Sequence, residues 1–417
     1  MRRARWVAFV TAATLVGLAG CHSGAPARPA AAGGAVRSET TTSSTTTTTS
    51  TSDTTGTTFP ARRVDYAAGT ALPADCPPPV ALQTDAGSVR GRGLAMVSAQ
   101  RGFAVDDTAV VVTDDGRTWS RRWTGSDPMY SVEAIDADHA WAVGQHVLLA
   151  TTDGGRTWTS RGEPGTGMLR VVDFTDAQSG WGVTDTHVYR TTDGGRTWDA
   201  ADPPCGGEAV CFTGADDGWA ATGPSVYRTV DGGRSWVPAF TVPTDDIDHP
   251  FNLRSVHAAQ LECSRPGVMW GLFTGRASGS HIGYVAYRGV AGGGWTPVVK
   301  EPVAGPLAVH APAAGTYPAP MGALGPDSAL FVSFSPLAKA PDALALRPAA
   351  AGGTRLGPAQ PVPGLFSATS ISFPSPDVGW VLGTRTGPAT VDAILATSDG
   401  GRSWQEQYSA TLPGPTG

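Results

Sequence analysis

Apolar and polar positions along this chain alternate in short runs, never in the longer rhythm of helices. Residues 130–161 show the pattern well. Val132-Glu133-Ala134-Ile135 predicts a strand, and Asp136 to His139 a turn. Trp141-Ala142-Val143 predicts a second strand, and His146 to Thr151, rich in apolar and β-branched residues, a third. Asp153-Gly154-Gly155 is a tight turn, and Trp158 begins a fourth strand. Four strands in about 40 residues is the content of one small antiparallel sheet. No stretch downstream of the N-terminal region carries convincing helical periodicity.

The unit recurs. Thr151-Thr152-Asp153-Gly154-Gly155-Arg156-Thr157-Trp158 is followed by near copies ending at Trp198, Trp236 and Trp404, and preceded by an altered copy, Val112-Thr113-Asp114-Asp115-Gly116-Arg117-Thr118-Trp119. Trp119 to Trp158 is 39 residues, Trp158 to Trp198 is 40, and Trp198 to Trp236 is 38. In phase with these runs a second motif, an aromatic with small or β-branched neighbours, at Phe103, Trp141, Trp181, Trp219 and Trp380. Two worn copies fill the gap from Trp236 to Trp404. One carries Val268-Met269-Trp270-Gly271 and Gly293-Gly294-Trp295, the other Ala329-Leu330-Phe331-Val332 and Gly352-Gly353-Thr354. Five clear copies and two worn ones predict an all-β, seven-bladed β-propeller of four-stranded antiparallel blades over residues 64–417.

The repeated turn resembles the Asp-box, or BNR, repeat. The resemblance implies that the box closes the turn between the third and fourth strands of each blade. Asp114, Asp153, Asp193, Asp231 and Asp399 then accept backbone N–H groups, the glycines take angles other residues avoid, and Trp119, Trp158, Trp198, Trp236 and Trp404 insert into the apolar layer. Copies spread around a ring cannot converge on one substrate, so these aspartates read as structural. The ~40-residue period resembles propellers of the photosystem-assembly-factor type. Bacterial exo-sialidases and xyloglucan-degrading glycosidases also carry Asp-boxes.

The N-terminus changes the picture of location. Arg2, Arg3 and Arg5 precede an apolar stretch from Trp6 to Ala19, too short to span a bilayer comfortably. It runs into Leu18-Ala19-Gly20-Cys21, which resembles a bacterial lipobox. That resemblance implies a signal over residues 1–21, cleavage before Cys21 and lipidation of its sulfur; an ordinary signal peptide is the alternative. Residues 22–63, with a run from Ser38 to Thr58 nearly all Thr and Ser, have almost nothing to bury and predict a disordered stalk. About 40 such residues reach roughly 35 Å, lifting the folded part off the membrane. The expected location is therefore extracytoplasmic, lipid-anchored to the outer face of the cell membrane, as a monomer.

Four further cysteines in an exported chain point to disulfides. Three pairings are open. The short loop between Cys205 and Cys211 favours that pair, leaving Cys76 with Cys263. A formal charge of −6 with no basic stretch makes nucleic acid an unsuitable partner, and no cofactor is expected.

Candidate chemistry lies where the fourth strand of one unit leads into the first strand of the next. Aligning units on the second-strand aromatic puts Arg92, Tyr130, Arg170, Glu208, Arg254 and Thr369 at equivalent positions, at the rim of a central channel. The arginines there suit a carboxylate or phosphate group. Asp245, Asp246 and Asp248 make a weak cation candidate. The reading that follows is a non-catalytic binding or assembly scaffold for a protein or glycan ligand. The alternative is a sialidase-like or xyloglucanase-like hydrolase, which needs two carboxylates facing across a cleft; no pair is marked, and the Arg-Ile-Pro or Arg-Leu-Pro element of sialidases is absent from the sequence.

Overall fold

The computed structural model describes residues 93–411, apart from 165–167, 185–186, 244–256, 279–280, 302–316, 335–343, 351–357, 359 and 386–389. Seven four-stranded antiparallel sheets account for every described strand, and each sheet is built from four strands consecutive in the chain. They span Leu94–Thr124, Met129–Arg161, Val171–Ala200, Ala209–Thr241, His257–Glu301, Tyr317–Pro361 and Ser367–Thr411. No helix occurs among the described residues. The unit read at 130–161 appears as Met129–Ala134, Ala140–Gly144, Leu148–Thr151 and Thr159–Arg161.

The first strands of successive sheets touch one another in chain order, and that of the seventh touches that of the first. The core confirms this closure. It is divided into seven apolar clusters, each drawn from two neighbouring sheets. Leu94, Met96, Ala104 and Val111 of the first sheet pack with Trp380, Leu382 and Ile394 of the seventh. The molecule is a β-propeller. A single four-stranded sheet cannot shield both its faces, and the ring lets each sheet cover its neighbours.

Tryptophan does much of this work. Trp141 of blade 2 stacks on Phe174 of blade 3 at 3.7 Å between centroids, and its indole N–H donates to Gly194 O at 3.2 Å. Trp181 repeats both contacts one blade on, with Phe212 at 3.4 Å and Gly232 O at 3.1 Å. The ring body is buried while the indole N–H is satisfied by the next blade's turn.

A second interblade contact was not foreseen from the sequence. The residue paired with the second-strand aromatic reaches across to the next blade's first strand. Glu133 Oε2 accepts Phe174 N–H at 2.9 Å, Asp173 Oδ2 accepts Phe212 N–H at 2.6 Å, and Ser372 Oγ accepts Met96 N–H at 2.9 Å across the closing seam. Cys211 occupies the same register, opposite Trp219, and bonds to Cys263 of blade 5 with Cα atoms 5.4 Å apart. The expected pairs Cys205–Cys211 and Cys76–Cys263 are therefore incorrect. Cys211 sits inside a strand with its side chain in the interblade cluster, turned to the neighbouring blade instead of back along its own chain. Cys205 is also disulfide-bonded, and Cys76 lies outside the described residues.

Candidate binding face

Antiparallel order gives the ring two faces. One carries the turns between first and second strands and those between third and fourth. The other carries the second-to-third turns and the connections between blades.

The first face is occupied by the repeated turn. In blade 2, Asp153 Oδ1 accepts Thr157 N–H at 2.9 Å and Thr151 Oγ1–H at 2.8 Å, while Thr157 Oγ1–H donates to Oδ2 at 2.6 Å. Gly154 and Gly155 sit at φ +71° and +76°, angles that favour glycine. Asp193, Asp231 and Asp399 make the same contacts in blades 3, 4 and 7. Each turn is also tied to the first-to-second turn of its own blade: Gly154 N–H donates to Asp138 O, Gly194 to Gln178 O, Gly232 to Asp216 O and Gly400 to Asp377 O. Hydrogen bonds from Thr157 hold Asp153 down at about 2, and those from Ser403 do the same for Asp399. For Asp193 partial burial pushes upward, but the donors on Thr197 outweigh it and hold the carboxyl at about 2. All these donors come from within the turn, so each aspartate is spent on its own loop.

Blade 1 corrects the alignment. Matching on Trp119 assigns the turn to Asp114, yet Asp115 takes the part. Asp115 Oδ1 accepts Arg117 N–H at 2.8 Å and Thr118 N–H at 2.7 Å, and its Oδ2 accepts Thr118 Oγ1–H at 2.7 Å. The third strand ends at Thr113, whose hydroxyl accepts Gly116 N–H at 2.9 Å, so this turn is one residue shorter than its copies. Asp114 instead meets Arg101 and Arg122. Trp119, Trp158, Trp198 and Trp404 are half-buried, while Trp236 is fully buried, its indole N–H donating to Ala201 O at 2.9 Å.

The opposite face carries the rim residues. Arg170 and Glu208 stand immediately before the first strands of blades 3 and 4. Arg170 N–H donates to Val183 O and Glu208 N–H to Ala221 O, both at 2.8 Å. Val183 and Ala221 each lie two residues beyond the second-strand tryptophan, so the register is the same. Tyr130 holds that place in blade 2, at an irregularity in the pairing between Met129 and Ser131. Thr369 lies at a similar irregularity in blade 7, its hydroxyl donating to Leu382 O at 3.3 Å. All four are half-buried. The structure thus sets Tyr130, Arg170 and Glu208 in one register on three adjoining blades. Arg92, Arg254, Asp245, Asp246, Asp248 and Cys21 lie outside the described residues.

Sequence reasoning missed the groups that fix the connections of this face. Asp202, in the connection between blades 3 and 4, is buried; its Oδ2 lies 2.8 Å from His187 Nδ1 and its Oδ1 accepts Val188 N–H at 2.6 Å. The Asp202 hydrogen bond raises His187 above the usual imidazole range, against the opposing effect of burial. Blade 2 has a related arrangement: His146 lies 3.5 Å from Asp127, and burial raises Glu163 above the usual carboxylate range, a shift that the charge of His146 opposes without cancelling. The repeat did not mark this pair: Leu148 and Val188 hold equivalent places, opposite Val143 and Val183, so His187 aligns with Val147 and His146 falls one residue out of register. Among the described residues, no group of three or more His, Cys, Asp or Glu could hold a metal ion.

The fold class is also plain from solved structures. No protein-family model and no curated protein matches the chain. An ancestral GH74 enzyme superposes with a TM-score of 0.51 at 11% identity, over 77% of this chain and 47% of that one. The extracellular domain of a hybrid two-component system from B. thetaiotaomicron also gives 0.51 at 11%, over 73% and 37%. YCF48 bound to D1 peptide shares 19% identity over 73% of this chain and 90% of its own, with a TM-score of 0.47. The chain spans less than half of the first two. At these identities the likeness establishes the propeller and nothing about activity.

Proposed function

We propose that this protein is a lipid-anchored, extracytoplasmic propeller that binds a protein ligand at the rim of blades 2 to 4 and performs no catalysis. The supporting observation is a contrast between its two faces. On the turn face the residue set Thr, Asp, Gly and Trp recurs from blade to blade, because each turn needs the same bonds. At the rim register the backbone is equally repetitive, yet the side chains are Tyr130, Arg170, Glu208 and Thr369. The repeated backbone does not dictate these identities, which marks the register as the place where a ligand would be recognised. Tyrosine and arginine are the side chains that anchor protein interfaces most often, through a large apolar body with a polar end and a planar fork of donors.

The hydrolase reading fares less well. Two carboxylates of this face, Asp202 and Glu208, accept backbone N–H groups, from Val188 at 2.6 Å and Gly223 at 3.1 Å. They hold loops in place, a use that competes with proton transfer to a sugar.

The anchor proposal rests on the Arg-rich start, the apolar stretch and Leu18-Ala19-Gly20-Cys21. Cys21→Ser is expected to move the protein from the membrane fraction to the medium; retention at the membrane would overturn it. For the rim, the intact lipoprotein is cross-linked in membranes as wild type, as Tyr130→Ala/Arg170→Glu, and as Arg156→Glu on the turn face. Partners lost only from the rim variant support the proposal, and an unchanged set in all three refutes it.

A further inference from the structure

Arginines of blades 1, 4 and 5 are answered inside the fold. Arg101 meets Asp114, Arg228 Nη2 lies 2.8 Å from Asp217 Oδ1, and Arg288 Nη2 lies 2.9 Å from Asp327 Oδ1. Two arginines around blade 3 are not answered in this way. Arg161 and Arg190 each keep a buried Nε with no acceptor, and among the described residues neither guanidinium makes a hydrogen bond or an ion pair. A buried donor without an acceptor is rare in folded proteins and calls for a physical reason. Arg190 has one close at hand. It lies over the Trp181 ring, 5.9 Å from the centroid, and the carboxylates of Asp216, Asp199 and Asp231 oppose the charge of the neighbouring Arg234.

Arg161 has no such balance. Burial lowers its guanidinium below the usual range, and the charge of Arg196 lowers it further, against a weaker opposing effect of Asp193. Arg196 and Asp193 both belong to the repeated turn of blade 3, and Asp193 is already spent there. Its Oδ1 accepts Thr191 Oγ1–H, Arg196 N–H and Thr197 N–H, each at 2.9 Å, and its Oδ2 accepts Thr197 Oγ1–H at 2.7 Å. Arg196 is exposed; its Nη1 donates to Asp193 O at 2.6 Å, and it has no carboxylate partner among the described residues. The backbones hold the two arginines together. Arg161 ends the fourth strand of blade 2, paired with Leu148. The next residue, Gly162, accepts the Trp198 indole N–H on its carbonyl at 2.8 Å, and a Cβ there would lie 2.4 Å from Arg196 O. The strand end of blade 2 is thus pressed onto the turn of blade 3, and two like charges are fixed beside each other.

We propose that Arg161 and Arg196 form a binding site for a phosphate-class oxyanion at the seam between blades 2 and 3. The charge sets the ligand class. A phosphoryl group carries close to two negative charges on one centre and presents three strong acceptor oxygens. It can therefore take donors from both guanidinia and offset both charges, whereas a single carboxylate leaves one of them unanswered. Guanidinium forks suit this geometry, and charge-assisted bonds of this kind are the strong ones. The orphaned Nε makes the seat of Arg161 a poor one, so a shift of its side chain toward a ligand costs no hydrogen bond. The two arginines come from different blades, so the bound anion also ties blade 2 to blade 3. Free phosphate and a phosphomonoester share this chemistry.

The test uses the full chain in non-ionic detergent, with nitrogen-15 in its arginines. The buried Nε–H of Arg161 is shielded from exchange with water and gives its own NMR signal, assigned by its absence from Arg161→Gln. Inorganic phosphate, titrated at constant ionic strength, is expected to shift that signal saturably in the millimolar range, and chloride is not. By calorimetry, Arg161→Gln and Arg196→Gln are each expected to bind phosphate at least ~10-fold more weakly, the loss of about one charge-assisted bond. Arg161→Lys, which keeps the charge but not the fork, should lose less, and Arg190→Gln should bind as wild type does. Glycerol 3-phosphate separates the two sources: tighter binding than phosphate assigns the site to a phosphomonoester, and equal or weaker binding assigns it to free phosphate. No saturable shift, the same shift with chloride, or an equal loss in Arg190→Gln overturns the proposal. A response to polyglutamate with none to phosphate overturns it as well. The wild-type titration needs no variant, so a poorly folded mutant does not spare the proposal. Neither Tyr130 nor Arg170 takes part, so the cross-linking experiment at the rim fails or succeeds independently.

Discussion

The contact from Asp173 to blade 4 offers the sharpest test of how the ring holds together. Asp173 is 7% exposed, and its Oδ2 accepts the N–H of Phe212 at 2.6 Å within the buried layer between blades 3 and 4. Asp173→Ala removes the acceptor and strands a buried backbone donor. Hydrogen bonds to charged groups contribute about 1.5–3 kcal/mol, and a buried donor left unsatisfied costs a similar amount. Little apolar packing is lost, so about 2 kcal/mol is the expected destabilisation. Unfolding entropy near 2.1 cal/mol/K per residue, over roughly 300 folded residues, converts this to a fall of about 3 °C in melting temperature. Asp173→Asn keeps an oxygen acceptor and is expected to lose less than half as much. The assay is thermal unfolding by circular dichroism, paired with hydrogen exchange at the Phe212 amide, which should accelerate in the alanine variant alone. A melting temperature within error of wild type, with Phe212 still protected, would show that the contact is incidental and that packing alone joins the blades.

Other expectations follow from the same geometry. Breaking the Cys211–Cys263 bond by Cys211→Ala/Cys263→Ala reopens a separation of 52 residues; chain entropy puts the loss near 4 kcal/mol, measurable by denaturant titration against the oxidised wild type. In blade 1, Asp115→Ala is expected to lower the melting temperature and Asp114→Ala to leave it nearly unchanged; the reverse order would restore the alignment on Trp119. His187 is raised by its bond to Asp202, so the stability it contributes is fully present below its unfolded pKa of about 6.5 and is lost as pH rises through the higher folded value. The difference in melting temperature between wild type and His187→Asn should therefore shrink from pH 6 to pH 9, and a difference that grows would contradict the pairing. The turn carboxyls at Asp153, Asp193 and Asp399 lie at about 2, so their contribution is present above their unfolded values near 3.9 and fades as pH falls toward 2. Acid titration followed by tryptophan fluorescence should accordingly begin at higher pH in Asp193→Asn.

Much of this protein was decided locally, and that part was legible in the sequence. A turn that ends a strand with Thr, accepts its own backbone on Asp and bends through two left-handed glycines needs only eight consecutive residues, so its copies announce themselves. Their spacing counts the blades, because each short sheet must find a neighbour to cover its faces. Even there, Asp114 was read for Asp115: a one-residue shortening is invisible until the end of the strand is known, since the hydroxyl of Thr113 sets which carboxylate can reach the turn. The disulfides, the interblade contacts and the His187–Asp202 pair belong to the tertiary structure alone. Cys211 and Cys205 are close in sequence, yet a strand carries alternate side chains to opposite sides, and Cys211 faces blade 5. Glu133, Asp173 and Ser372 share no residue type with Cys211, only a place opposite the second-strand aromatic. What that place touches depends on the blade next door, and only closure of the ring brings the two together.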